Sequence, residues 1–196
     1  MSSIKIFFEK ISLSFTKNSA IAGFFFFLVL CSWYILRPVR NEMAVQNSDI
    51  LPYLLGIGAL VMLLLNPIYS WLASRQNLKS VLIGCYLFFI FNLLLFIILW
   101  EFFDLSGAIW LSRIFYVWCN VYSFFVVSIF WVVIINLFRG DGATNVFGVI
   151  AAGGSIGAFL GSEISKQLAA TFNESGIIFF TLIAIFFLIS ALITGL

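Results

Sequence analysis

Apolar residues fill this chain in six long runs, and charged positions separate one run from the next. The intervals without Asp, Glu, Lys or Arg cover residues 18–36, 50–74, 80–100, 114–138, 142–162 and 175–196. Each is long enough for a membrane-spanning helix, which needs about 20 apolar residues. Polarity does not alternate along the runs as it does in barrel strands, so the spans are expected to be helical. The pattern predicts an all-α membrane protein with six transmembrane helices.

Flanking aromatic and polar residues extend the runs into spans. We place these at residues 18–40, 50–74, 79–101, 111–138, 143–166 and 175–196. Residues 18–196 then form one transmembrane domain in contact with the lipid bilayer. Residues 1–17 precede it, with Ile4, Phe7, Phe8 and Ile11 at helical spacing. They predict a short interfacial helix on the cytoplasmic leaflet, and a frayed tail is the alternative.

Basic residues set the predicted orientation. They gather before the first span and in alternate loops, at Lys5, Lys10, Lys17, Arg75, Lys79 and Arg139. The other loops carry mainly acids, with Lys166 as the chief basic exception. The positive-inside rule therefore predicts a multi-pass protein of the cell's inner (cytoplasmic) membrane, with both termini in the cytoplasm. The sixth span ends at Leu196 without a basic flank, so we expect a truncated chain or half of a larger protein.

Composition narrows the function classes. The chain is 63% hydrophobic and 9% charged, and its net charge of +2 gives no reason to expect nucleic acid as a partner. Histidine is absent, which removes the commonest general base and metal ligand. No GxSxG motif or CxxC pair occurs, and no pair of acids lies within the spans. We therefore expect no enzymatic activity, no catalytic residues, no metal and no cofactor.

Two arginines close the first span. Arg37 and Arg40 lie three residues apart, a spacing that puts them on one helix face. Paired guanidiniums suit bidentate binding of phosphate or carboxylate, which makes both residues candidate substrate ligands. Snorkelling to lipid headgroups explains them equally well, since Arg37 lies about 28 Å along the helix from Asn18.

A second polar group begins the fourth span. Arg113, Tyr116 and Asn120 are costly at membrane depth unless they face a cavity or a neighbouring helix. They are candidate substrate-binding residues. Helix packing or an aromatic belt at the interface is the alternative.

Small residues mark the fifth span. Two stripes recur at every fourth position: Gly153, Gly157 and Gly161 in one, Gly154, Ala158 and Ser162 in the other. Such spacing lets helix backbones approach closely, so the glycines are predicted packing residues. Because the two stripes look too wide for one neighbouring helix, we expect one of them to contact a second six-helix unit.

The loop between spans two and three resembles a known signature. Residues 70–82 resemble the G-x-L-a-D-R-x-G-R-K-x-x-L loop of the major facilitator superfamily, matching it at Leu72, Ala73, Arg75, Lys79 and Leu82. Ser70 and Asn77 replace its two glycines, and Ser74 replaces its aspartate. The resemblance implies a cytoplasmic gating loop in which Arg75 and Lys79 take part.

Other stretches resemble one branch of that superfamily. Residues 36–40, 115–118, 125–131 and 145–158 are similar to bacterial facilitators related to the ATP/ADP exchange translocases of plastids and intracellular bacteria. That branch typically carries an acid and a base near Asn136 and Asn145, which are neutral here. The resemblance implies an N-terminal facilitator half built from two inverted three-helix repeats.

The leading functional hypothesis is a secondary active transporter, as the N-terminal half or a truncated copy. Its substrate would be a small-molecule solute, anionic or nucleotide-like, bound between this unit and a second six-helix half or another copy of the chain. The alternative is a non-transporting membrane scaffold or partner subunit derived from a transporter.

Overall fold

Six long helices build the protein, as a computed structural model describes it for residues 17–74, 77–102, 105–138, 143–171 and 176–196. They are α1 (Lys17–Gln46), α2 (Leu51–Ala73), α3 (Leu78–Phe102), α4 (Leu105–Leu137), α5 (Ala143–Thr171) and α6 (Gly176–Thr194). Within the described residues, all six are long and apolar enough to cross a membrane. The predicted all-α membrane protein with six spans is confirmed.

The helix ends differ from the predicted spans by five residues or more in three places. α1 continues to Gln46, six residues beyond the predicted end, α4 begins at Leu105 rather than at residue 111, and α5 continues to Thr171, five residues beyond the predicted end. A helix as long as α4 measures about 50 Å, whereas the hydrocarbon core of a bilayer is about 30 Å thick. Its ends therefore extend into the headgroup regions. The predicted interfacial helix lies almost wholly outside the described residues, with Lys17 already part of α1.

Helix α1 is the centre of the bundle. It packs most extensively against α5, then α6, then α4. Helix α4 packs against α1, α3 and α2, and α3 also contacts α6. The pattern of contacts is the same when α1, α2 and α3 are exchanged with α4, α5 and α6, so that the contact of α1 with α5 corresponds to the contact of α4 with α2. The two sides differ in tightness, because α1 and α5 are closely joined while α4 and α2 touch much less.

Glycines explain the close contact between α1 and α5. A Cβ atom added at Gly153 would overlap the Gly23 carbonyl, and one added at Gly157 would overlap the Phe27 carbonyl. At Gly161 it would lie 3.0 Å from the Cys31 carbonyl oxygen. Only hydrogen atoms on these Cα atoms let the two backbones come this close, and close packing is what drives helix association in lipid.

The second stripe of small residues also turns partly toward α1. Gly154 receives the ring of Phe26 and the side chain of Leu30, so α1 occupies both stripes at this level. The expectation that two stripes are too wide for one neighbouring helix was wrong, because α1 places its backbone on the stripe of Gly153 and Gly157 and its side chains on Gly154. Ala158 is half-buried and Ser162 is exposed. The stripes do not by themselves require a second six-helix unit.

Helix α2 lies at the edge of the bundle. Only Leu54 and Gly58 of this helix are buried, while Tyr53, Leu63 and Leu64 are more than 60% exposed. A membrane helix with this much exposed apolar surface faces lipid or another protein. Pro52 lies in the first turn of the helix, where a backbone N–H has no acceptor within the helix, so the missing N–H of proline costs no hydrogen bond.

The orientation of the bundle is tested by cysteine labelling. Ser48 and Ser74 are exposed at opposite ends of α2. Asn47 falls between the predicted spans 18–40 and 50–74, but it is 3% exposed and suits labelling poorly. We expect Ser48→Cys to react with an impermeant maleimide from outside intact cells, and Ser74→Cys to react only after permeabilisation. Unsubstituted protein is the blank for its own three cysteines. The opposite pattern would reverse the orientation.

Candidate anion site

A proline shapes the C-terminal part of α1, between the two arginines. Pro38 has no N–H to donate to the Tyr34 carbonyl four residues earlier. Ser165 of α5 supplies the missing donor, because its hydroxyl lies 3.1 Å from the Tyr34 carbonyl oxygen. A second helix thus satisfies the backbone group that proline frees, as is required where water is absent. This contact fixes the segment of α1 that carries Arg37 and Arg40.

Arg40 points from this segment toward α4. Its guanidinium carbon lies 5.3 Å from the ring centroid of Tyr116, which is 2% exposed. The Arg40 Nε is buried and has no hydrogen-bond partner among the described residues. A half-buried cation that rests on a ring and keeps an unused donor can bind an anion through charge-assisted hydrogen bonds.

Arg37 lies elsewhere. Its guanidinium is over its own neighbour Tyr34, at 5.3 Å from the ring centroid, and its side chain is exposed. It lines a shallow groove between α1 and α5 together with Glu42 and Lys166. The expectation that Arg37 and Arg40 share one face and one ligand was wrong. Three helical residues differ in direction by about 60°, which is enough to direct the two arginines to different neighbours.

Arg113 contacts other residues than Arg40 does. It lies about 12 Å from the start of α4, two turns inside the helix rather than at its beginning. Its Nε donates to the Asn47 Oδ1 at 2.8 Å, and its guanidinium lies 5.0 Å from the ring centroid of Trp110. Asn47 in turn donates to the Ser112 hydroxyl at 2.9 Å. Arg113 therefore belongs to a polar cluster that joins the ends of α1 and α4.

Asn120 contacts its own helix and lies close to α2, and it does not face an open cavity as a substrate ligand would. Its amide donates to the Tyr116 carbonyl at 3.2 Å. A Cβ atom added at Gly58 of α2 would lie 3.7 Å from this amide nitrogen, so α2 comes close to α4 here. Of the five predicted substrate ligands, Arg40 and Tyr116 meet through their side chains, and Asn120 contacts Tyr116 through the Tyr116 backbone.

A buried hydrogen-bond network crosses the middle of the bundle. The Ser32 hydroxyl lies 2.5 Å from the Tyr122 hydroxyl and donates to the Ala184 carbonyl at 2.9 Å, which links α1, α4 and α6. The Cys31 thiol donates to the Gly157 carbonyl at 3.2 Å. The sequence does not predict these buried hydrogen bonds. A serine and a tyrosine 90 positions apart give no signal that they meet.

The predicted gating loop is described only in part. Arg75 lies outside the described residues. Lys79 is exposed, and its ammonium donates to the backbone oxygen of Leu196 at 2.8 Å. Asn77 begins α3 as its N-cap, since its Oδ1 accepts the Ser80 N–H at 3.3 Å. These contacts give the loop a structural role at one end of the bundle.

Among the described residues, no three His, Cys, Asp or Glu side chains gather as metal ligands would. No protein-family model matches this chain, and no similar protein was found among curated proteins or solved structures. The resemblance to the major facilitator superfamily therefore stays a prediction from sequence motifs. The contact between Arg40 and Tyr116 is the arrangement that best fits ligand binding.

Proposed function

We propose that this chain is a six-helix unit of a secondary transporter that moves a small anionic solute across the membrane. The proposal depends on the surroundings of Arg40. Its side chain is half-buried, and its Nε has no hydrogen-bond partner in the described part of the chain. A cation inside the membrane region is costly without a partner, and such residues commonly mark a solute pathway.

The depth of Arg40 fits a site near one membrane surface. It lies about 13 Å from the middle of α1, and half of the hydrocarbon core measures about 15 Å. An anion would reach it from the end of the bundle that the positive-inside rule places outside. Tyr116 beneath the guanidinium would hold it in position, and the contact between Ser165 and Tyr34 would fix the backbone on which it stands.

The pattern of helix contacts supports a transporter built from repeats. When α1, α2 and α3 are exchanged with α4, α5 and α6, each pair of packed helices corresponds to another packed pair or to itself. An odd number of spans per repeat makes consecutive repeats opposite in orientation, which is a common construction in secondary transporters. Together with the motifs in residues 70–82, this pattern favours a facilitator-like N-terminal half. Its second half, or another copy of the chain, would complete the solute pathway.

A non-transporting membrane subunit is the second candidate. The outer face of α5 favours it, because Ala151, Ala152 and Ser155 are small and exposed there. Small residues on a lipid-facing surface allow another helix to pack closely. A subunit of this kind would hold a partner protein on α5 without moving a solute itself.

Ligand binding tests the proposed anion site. We expect the purified protein in detergent to gain thermal stability from at least one anion in a panel of inorganic phosphate, dicarboxylates and nucleoside phosphates. Choline and neutral sugars are the matched controls and should leave the Tm unchanged. Equal Tm values with every anion, at concentrations up to the millimolar range, would contradict the proposed anion site.

A further inference from the structure

A large apolar cleft opens between α2, α3 and α4. Its volume is about 1570 Å³. Its walls include Tyr53, Ile57, Trp71 and Phe88. Along α2 it runs from Tyr53 to Trp71, about 27 Å, which nearly equals the hydrocarbon thickness of a bilayer. The cleft exists because α2 contacts α4 and barely contacts α3.

One end of this cleft carries a positive charge. Arg113 is the single charged side chain among the described residues that line it. Asn47 holds its Nε, and Trp110 lies beside its guanidinium. The two terminal nitrogens of the guanidinium have no carboxylate partner in the described ranges. Since α4 overshoots the hydrocarbon core, a residue about 12 Å from its start lies near the headgroup level.

We propose that the cleft binds one anionic phospholipid, with the phosphate on Arg113 and the acyl chains along α2 and α3. The guanidinium offers two parallel N–H groups that match two phosphate oxygens. Trp118 lines the cleft about 7.5 Å further along α4, and its buried Nε1 has no hydrogen-bond partner among the residues that the structure describes. The ester carbonyls of a phospholipid lie below its phosphate, so they would lie nearer to Trp118 than to Arg113.

Lipid fits this cleft better than a helix of a second copy. Helices associate in membranes through small residues that let backbones approach, whereas the cleft walls are mainly Ile, Leu, Phe and Trp side chains. Flexible acyl chains can fill the irregular space that such side chains leave. The proposal is independent of the anion site at Arg40, because the two arginines lie in different surroundings.

Native mass spectrometry of the full chain in detergent tests the proposal. After incubation with dioleoyl phosphatidylglycerol or dioleoyl phosphatidylcholine, we expect one retained phosphatidylglycerol per chain, with about tenfold preference over phosphatidylcholine. Arg113→Gln removes the charge and keeps an N–H for Asn47, so it should abolish the preference. Arg37→Gln is the matched control, because Arg37 is an exposed arginine on α1 that does not line the cleft. This variant should retain the preference for phosphatidylglycerol.

A second variant tests the apolar part of the site. A Cβ atom added at Gly84 meets nothing within 4 Å, so Gly84→Trp can fill the cleft without a clash at the backbone. It should lower retention of both lipids. Equal binding of the two lipids, or unchanged binding in either variant, would overturn the proposal. Competition by glycerol 3-phosphate would instead assign Arg113 to a soluble anion, and cross-linking of Gly84→Cys between two chains would assign the cleft to a second copy.

Discussion

Replacing Gly157 with alanine is expected to lower the free energy of unfolding by about 3 kcal/mol, a large loss for one methyl group. The new Cβ would overlap the carbonyl oxygen and the Cα of Phe27, which are backbone atoms and cannot rotate away. α1 and α5 must then separate, and the hydrogen bond from Cys31 to the Gly157 carbonyl is lost with them. Because α1 is the centre of the bundle, the whole fold depends on this contact. Reversible unfolding in mixed detergent micelles measures the change.

Gly148→Ala is the matched control for this substitution. Gly148 lies on the same helix, but an added Cβ there meets nothing within 4 Å. Alanine has the higher helix propensity, so the control should be as stable as the original protein, or more stable by less than about 1 kcal/mol. Gly157→Leu should prevent assembly of the bundle, while Phe159→Leu, at a side chain that is 70% exposed, should be tolerated. Equal stability of Gly157→Ala and Gly148→Ala would show that α1 and α5 do not pack through this glycine.

Replacing Arg40 with alanine is expected to weaken binding of the stabilising anion about 100-fold. Each hydrogen bond from a charged donor contributes about 1.5 kcal/mol or more, and a bidentate contact contributes two. Arg40→Lys keeps the charge but not the planar pair of donors, so it should weaken binding about tenfold. Equilibrium binding of the radiolabelled anion to purified protein gives these dissociation constants.

Stability distinguishes a ligand-binding role of Arg40 from a structural one. The buried Arg40 Nε has no hydrogen-bond partner among the described residues, and burying a donor without a partner destabilises the fold, so Arg40→Ala should leave the Tm of the ligand-free protein unchanged or raise it. Arg37→Ala is the control for charge, because Arg37 is exposed in another groove; it should change the dissociation constant by less than about twofold. Loss of stability in Arg40→Ala with unchanged binding would give Arg40 a purely structural role.

The spans could be predicted from sequence because hydropathy and charge act over whole helices. Six apolar intervals bounded by charges led directly to six helices, and the boundaries differed where the helices extend past the hydrocarbon core. α1 continues to Gln46, and this extension places Asn47 against Ser112 and Arg113 instead of in an open loop. Nothing in the local sequence marks that change, because it depends on how far α4 extends beside α1.

The candidate site was harder to predict because it depends on which helices are neighbours. Pro38 marks a freed carbonyl at Tyr34, and this part can be read from the sequence. The donor is Ser165, which lies 131 positions from Tyr34, and only the packing of α1 on α5 identifies it. The same packing separates Arg37 from Arg40, since different helices surround the two sides of α1.

Counterflow in proteoliposomes tests the proposed transport most directly. Vesicles loaded with the unlabelled anion that stabilises the protein are diluted into a trace of the same anion carrying a radiolabel. A transporter is expected to accumulate label transiently inside, and Arg40→Ala vesicles and protein-free vesicles should show no such peak. Binding without a transient peak, in vesicles whose protein is folded and inserted, would contradict transport and favour the non-transporting subunit.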